Sequence, residues 1–366
     1  MGMAEMMTYM IMHGERAVAK IDTSGRCSIF DADFMPYDLY MDDADASLDT
    51  LVNNLTNFYY WCASRVLTLD RQYAKEILNS IGATQNPTDK ARAHIALSYH
   101  CLTLTDIFWV KSAGEDTSFE AVNLYENHLD NALVDVSLRG RQMTVGNSYL
   151  IADDLSTGGC YPKAWLREKD GFILLKDGSP EAVANELLAS RICRCFNCRQ
   201  VIYDEYFYDG VPVSASKIMT DQRYSIVSRE AFEIYAANHS LDAGKYLLEL
   251  DAHAYHMMNI LDYLVGNTDR HWGNWGVLID NETNKPIRLH DLMDFNRAFQ
   301  AYDTLEGANC LTVSPYPMTQ KNAALWAVRQ VGLNQRADIE PDWFEGRPEI
   351  YKMFRQRLEL LSAAES

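Results

Sequence analysis

The sequence predicts an α+β fold in two lobes, preceded by a small β-hairpin and a helical subdomain. Three observations carry this expectation. Residues 9–29 alternate apolar and polar around a Thr-Ser-Gly turn at 23–25, the pattern of a hairpin. Residues 147–227 combine short apolar strands with Gly- and Asp-Gly-containing turns and a single helix. From 228 onward most segments repeat at helical spacing. The expected organisation is 1–146 for the hairpin and helical subdomain, 147–227 for a strand-rich lobe, and 228–366 for a helical lobe.

In chain order, Leu48, Leu51, Leu55, Tyr59 and Cys62 fall on one face of a helix over 47–67. Further helices are expected near 71–81 and 89–98, so helices dominate the first 140 residues or so after the hairpin. A strand over 148–152 leads into the glycine-rich stretch STGGCYPK. Strands KAWLRE and FILLK then flank the turn KDG. Ser179 and Pro180 open a helix over 179–196, as N-cap and first-turn residue. Two strands, 200–208 and 211–218, surround Asp209-Gly210. Residues 251–265 form the clearest helix, with Ala254, Met258, Leu261 and Val265 on one face. A short hairpin over 274–289 follows, and helices at 322–331 and 348–363 close the chain.

A chain of 366 residues supports two or three structural units, and 48% apolar with 23% charged residues is ordinary globular composition. The net charge of −18 argues against direct nucleic-acid binding or an anionic membrane surface, both of which need a basic face. No run of 18 apolar residues is present, so no membrane span is expected. The Met-rich beginning lacks a basic region and a cleavage site, and Met6 stands where a myristoylation signal needs Ser or Thr. The expectation is a cytoplasmic protein. Eight scattered cysteines agree with it, and Cys193, Cys195 and Cys198 read as free thiols at a helix end, because no second pair completes a zinc site.

The segment LVGNTDRHWGNWGVLID concentrates chemistry. Asp269 and Asn274 have the D-x-x-x-x-N spacing of a phosphotransfer loop, between a helix and a strand. The aspartate must lie near an accepting hydroxyl, and the asparagine must offer its carbonyl oxygen to a divalent ion. Asp294, in LMDFN after the hairpin, is the expected second metal ligand. Asn296 stands where the corresponding kinase element has glycine, and Asn tolerates left-handed backbone next best. Lys176 ends FILLK and is expected to reach nucleotide phosphates. Its partner is Glu186, preferred over Glu181 because an unpaired carboxylate among apolar neighbours would be costly. Ser156, Thr157, Gly158, Gly159 and Lys163 are expected to wrap the phosphates through backbone N–H groups and side-chain donors. Trp272 and Trp275 read as packing residues.

With these residues in order, the chain resembles HipA-type kinases, bacterial Ser/Thr protein kinases whose C-lobe is related to phosphatidylinositol 3/4-kinases. GNTDRHWGN followed by MDFN, STGGCYPKA and the lysine of FILLK carry the likeness, over about residues 148–299. The resemblance implies a bilobal protein-kinase-like fold using ATP and Mg²⁺. It implies Asp269 as base, Asn274 and Asp294 on Mg²⁺, Lys176 on the phosphates, and His271 as a support of the catalytic loop. It implies Ser156 or Thr157 as a self-phosphorylation site, a protein substrate, and an antitoxin or a second copy as partner. The first 140 residues or so and the acidic charge depart from the family's toxin members. The alternatives are a lipid or small-molecule kinase, for which the D-R-H form speaks, and a nucleotide-binding pseudokinase scaffold, for which Asn296 speaks.

Overall fold

A computed structural model describes residues 6–66, 88–127, 163–169, 171–208, 210–300, 302–312 and 317–365. The helix expected at 71–81, the strand at 148–152 and the glycine-rich loop lie outside these residues. The chain divides into two compact units. One comprises Met1–Leu174 with Thr220–Ser225 and Asp280–Lys285; the other comprises Leu175–Met219, Ile226–Ile279 and Pro286–Ser366. The expected boundaries at 146/147 and 227/228 do not follow this division. The strand-rich segment 147–227 is shared between the units, because Lys176 bonds to Asp294 and the helix over 180–193 packs on the helix over 252–265.

In the first unit, strands β1 (Thr8–His13), β2 (Arg16–Asp22), β3 (Cys27–Ile29) and β4 (Phe108–Ser112) form one antiparallel sheet in the order β3-β2-β1-β4. The expected hairpin is present as β2–β3, and two more strands extend it. A second reversal at Gly14 creates β1, with an irregularity between Ile11 and Met12. The strand β4 lies in a stretch expected to be helical, and pairs with β1 from about 100 residues away in the chain. Its Trp109 donates from Nε1 to the Gly14 carbonyl at 2.7 Å, which ties the strand to the tight turn. Helix α1 (Leu48–Ser64) is capped by Ser47, whose side chain accepts from the Thr50 N–H. It packs against α2 (Asp89–Ser98) and sets Phe58 5.5 Å from Tyr9 of the sheet. The fully buried Ile11, Val18, Ile21 and Phe58 make this core. Strands β5 (Lys163–Glu168) and β6 (Gly171–Lys176) are neighbours in a sheet.

The second unit starts at the end of β6. Helix α4 (Pro180–Cys193) follows a short helix, α3 (Phe119–Val122), in chain order, and opens with Ser179 as cap and Pro180 in its first turn. Strands β7 (Tyr203–Tyr208) and β8 (Val211–Lys217) pair antiparallel, Tyr203 opposite Ser216, and α4 packs on both. A strand not expected from the sequence, β9 (Tyr224–Ser228), joins β10 (Gly276–Asp280) and β11 (Lys285–Leu289) in the order β11-β10-β9. Helices α5 (Arg229–Asn238), α6 (Ala243–Leu250), α7 (Ala252–Val265), α8 (Gln320–Val331) and α9 (Pro348–Glu365) complete the unit.

The centre of this unit is α7, buried all round from Tyr255 to Val265 and packed by α4, α6, α8 and α9. Each of its fully buried leucines contributes about 1.5–3 kcal/mol of burial. It stops at Gly266, which adopts a left-handed conformation (φ 61°) and turns its N–H back to the last helical turn. A Cβ there would stand 2.4 Å from the ring of Tyr302, so both conformation and packing require glycine. Cys193, Cys195 and Cys198 are free thiols at and beyond the end of α4, and burial pushes the Cys198 thiol up to about 12.

Two glycine- and histidine-based outcomes follow from this packing. At Gly276, a Cβ would lie 2.0 Å from the Val227 carbonyl oxygen in the neighbouring strand. Gly276→Ala is therefore expected to lower unfolding free energy by about 2 kcal/mol in urea titration, because backbone cannot yield cheaply. Burial pushes the imidazoles of His13, in the first unit, and His290, in the second, down to about 4. Both are neutral when folded but titrate near 6.5 when unfolded. Their contribution is thus fully present above about pH 6.5 and lost as pH falls towards 4, by about 3 kcal/mol each. NMR titration of the two rings should give midpoints near 4; midpoints near the unfolded value would remove this source of acid lability.

Candidate active site

Lys176 is the last residue of β6 and is only 5% exposed. A buried ammonium needs partners, and it has three. Its Nζ donates to Glu186 Oε1 at 2.9 Å, to Asp294 Oδ1 at 3.2 Å and to the Tyr203 hydroxyl at 3.4 Å. Burial pulls against the positive charge, but Asp294 and Glu186 more than offset it and hold the ammonium well above its ordinary range. Glu186 lies on the buried face of α4, and its second oxygen accepts from the Ser214 hydroxyl. Glu181, the rival partner, is exposed in the first turn of the same helix.

Tyr203 adds a second lock. Its hydroxyl accepts from the Asp294 backbone N–H at 3.1 Å, while its ring lies 4.8 Å from Lys176 Nζ. Burial pushes this phenol up, so it stays a neutral hydroxyl. Asp294 itself has φ 62°, whereas Asn296 is not among the residues in left-handed conformation. The expected place of the unusual backbone is therefore corrected by two positions: it falls at the acid, where Tyr203 and Lys176 hold it. Asn296 is buried, and its Oδ1 finds no hydrogen-bond partner among the described residues.

The loop after α7 is built on an ion pair. Arg270 donates from Nε and Nη2 to both oxygens of Asp262 at 2.9 and 3.0 Å, with both residues buried. Its Nη1 reaches the carbonyls of Asn274, at 2.9 Å, and Met293. Asn267 adds the crosslink. Its Nδ2 donates to Asp262 Oδ1 at 3.1 Å and to the Asp294 carbonyl at 3.3 Å, and its Oδ1 accepts from the Asp269 N–H at 3.3 Å. Gln320 of α8 donates to the Asn267 carbonyl at 2.6 Å.

On this frame, Asn274 Nδ2 donates to the Asp269 carbonyl at 2.9 Å. Its NH₂ end is thereby fixed and its carbonyl oxygen is the end left for a cation, which is the orientation a metal ligand needs. Among the described residues no group of three or more His, Cys, Asp or Glu side chains is arranged for a metal. Asp294 and Asn274 offer oxygen atoms, the ligand type that a divalent ion such as Mg²⁺ takes, and the other ligands of such an ion would come from water and phosphate. The Asp269 carboxylate is half-buried and stands 3.5 Å from Nε of Arg297. His271 is exposed, and its Nδ1 accepts from the Gly273 N–H at 3.0 Å. Arg270 thus braces this loop from a buried position, and His271 bonds within its local turn.

Ser156, Thr157, Gly158 and Gly159 lie outside the described residues. Lys163 opens β5 in the first unit. The structure brings together Lys176, Glu186 and Asp294, and separately Asp269 and Asn274, with Asn267 bridging the two groups. Asp262, Asn267 and Tyr203 escaped the sequence reading. An acid within the apolar run of α7 was a legible signal for Asp262; Tyr203 had none beyond the alternation of its strand.

No family model matches the chain, and no curated protein matches it. Among solved structures, it is similar to the proinflammatory kinase CtkA of Helicobacter pylori. That match has 14% identity and a TM-score of 0.43, covering 57% of this chain and 91% of that one. It is also similar to a chain of the Shewanella oneidensis MR-1 toxin–antitoxin complex of HipA, HipB and operator DNA. There the identity is 12% and the TM-score 0.49, covering 98% of this chain and 99% of that one.

Replacing Asp262 by Asn leaves the buried Arg270 guanidinium without its counter-charge. The expected cost is about 3–5 kcal/mol of unfolding free energy, measured by denaturant titration. A loss below about 1 kcal/mol would show that the loop carbonyls alone satisfy the arginine.

Proposed function

We propose that this chain is an ATP- and Mg²⁺-dependent kinase of the HipA type, transferring phosphate to a serine or threonine of a protein. The observation that carries the proposal is the fixed relation of two acids. Asn267 holds the Asp269 N–H with one end of its amide and the Asp294 carbonyl with the other. A proton acceptor and a metal acid are thus set on one rigid frame, as phosphoryl transfer requires.

In this reading Asp269 takes the proton of the acceptor hydroxyl. Asn274 and Asp294 hold the ion, and bound Mg²⁺ supplies charge neutralisation for the nucleotide phosphates. Lys176 contacts those phosphates, aimed by Glu186. Ser156, Thr157, Gly158, Gly159 and Lys163 remain the proposed phosphate-covering segment, and Ser156 or Thr157 the proposed self-phosphorylation site. A protein acceptor is favoured over a lipid headgroup because Arg297 is the only basic residue between Asp294 and Lys321. An anionic headgroup would call for more positive charge there. No helix of the described residues is long and apolar enough to cross a membrane. We place the protein in the cytoplasm, with an antitoxin or a second copy as its candidate partner. The −18 charge leaves any DNA contact to such a partner.

Incubation with Mg²⁺ and γ-labelled ATP, followed by mass spectrometry, tests the proposal. Label on Ser156, Thr157 or an added protein is expected. Asp269→Asn should reduce it by about 10²–10⁴-fold while Mg·ATP still binds. Equal labelling by wild type and variant would rule Asp269 out as the base, and ATP binding with no turnover would mark a pseudokinase.

A further inference from the structure

The geometry points to Arg297 as the cation that stabilises the transferring phosphoryl group, an inference that rests on the kinase reading above. Among the described residues, three positive side chains adjoin the site. Lys176 and Arg270 are buried, with their donors committed to carboxylates and carbonyls. Arg297 differs on every count. Its side chain is 43% exposed, its Nε makes one loose contact with Asp269 Oδ2 at 3.5 Å, and its Nη1 and Nη2 make no hydrogen bond among the described residues.

The backbone beneath it is fixed. Phe295, Asn296, Ala298 and Phe299 are buried around it, and the Ala298 N–H donates to the Phe295 carbonyl at 2.9 Å. The side chain can therefore swing from a fixed root three residues beyond Asp294. A free fork of N–H donors beside a proton-accepting carboxylate has an obvious anionic partner in this chemistry. The acceptor oxygen forms its bond to phosphorus, the bond from phosphorus to the ADP oxygen breaks, and that oxygen keeps the electron pair. The hydroxyl proton passes to Asp269. Negative charge is spread over the three equatorial phosphoryl oxygens, two of which match a planar guanidinium fork. Arg297 exchanges Asp269 for these oxygens.

Aluminium fluoride, which with Mg·ADP imitates the phosphoryl group in flight, is the probe. Calorimetry of Mg·ADP binding, with and without aluminium fluoride, is compared for wild type, Arg297→Ala and Arg297→Lys, alongside single-turnover transfer rates. The expected result is unchanged Mg·ADP affinity and Tm in both variants. Arg297→Ala should lose the tightening by aluminium fluoride and slow transfer by about 10³-fold, and Arg297→Lys should recover part of each. Faster transfer by Arg297→Ala would reveal a latch on the base and overturn the inference. So would aluminium fluoride tightening equal to wild type. If wild type transfers phosphate and Arg297→Ala does so equally, the inference alone fails. If wild type binds no Mg·ADP and labels nothing, the kinase reading fails and the inference with it.

Discussion

The paired oxygens of Asp262 meet two nitrogens of Arg270 at the end of a helix that is buried on every side, and the loop that carries Asp269 and Asn274 is hung from that contact. Such a pair adds little net stability over a well-packed apolar one, because removing both charges from water costs about what their attraction returns. Its effect is on geometry. Asp262 is immobile because α7 is immobile, Arg270 is immobile because its fork fits the carboxylate, and the third arm of Arg270 then sets the carbonyls of Asn274 and Met293. The loop's position is inherited, one bond at a time, from the packing of a central helix.

The same device recurs at sites unrelated to the candidate chemistry. In the first unit, Arg65 is buried against Asp106 and donates to the carbonyls of Cys101 and Phe108. In the second, Arg357 is fully buried between the rings of Tyr263 and Tyr302 and donates to the carbonyls of Tyr263 and Thr304. Wherever the chain leaves a helix or turns under cover, carbonyls lose their ladder partners and cannot reach water. A guanidinium brings five donors on a long stem and can collect several at once. The burial of these arginines is thus a consequence of irregular backbone inside a packed structure.

Much of this was legible in the residues. Helical periodicity and caps placed α1, α4 and α7 within a few residues, since local propensity and tertiary packing agree there. Apolar neighbours distinguished Glu186 from Glu181, because burial decides which acid needs a partner. The four-residue gap between Asp269 and Asn274 marked the loop. Other features depend on distant partners and leave no local trace. The strand β4 acquires its character from pairing with β1, and β9 from its place beside β10. Tyr203 matters only because its hydroxyl meets the Asp294 N–H. His271, conspicuous in the sequence, faces solvent, while the quieter Asn267 bonds both acid-bearing segments.

Asp294 is subject to two demands that rarely coincide. Its left-handed backbone suits glycine, asparagine or aspartate, and penalises other side chains by about 1–2 kcal/mol. Its place beside Lys176 requires a negative charge. Glycine and asparagine satisfy the first demand only, and glutamate the second. Aspartate alone meets both, so this position has almost no neutral neighbours in sequence space. Sequence drift should therefore spare this position for reasons of shape as well as charge.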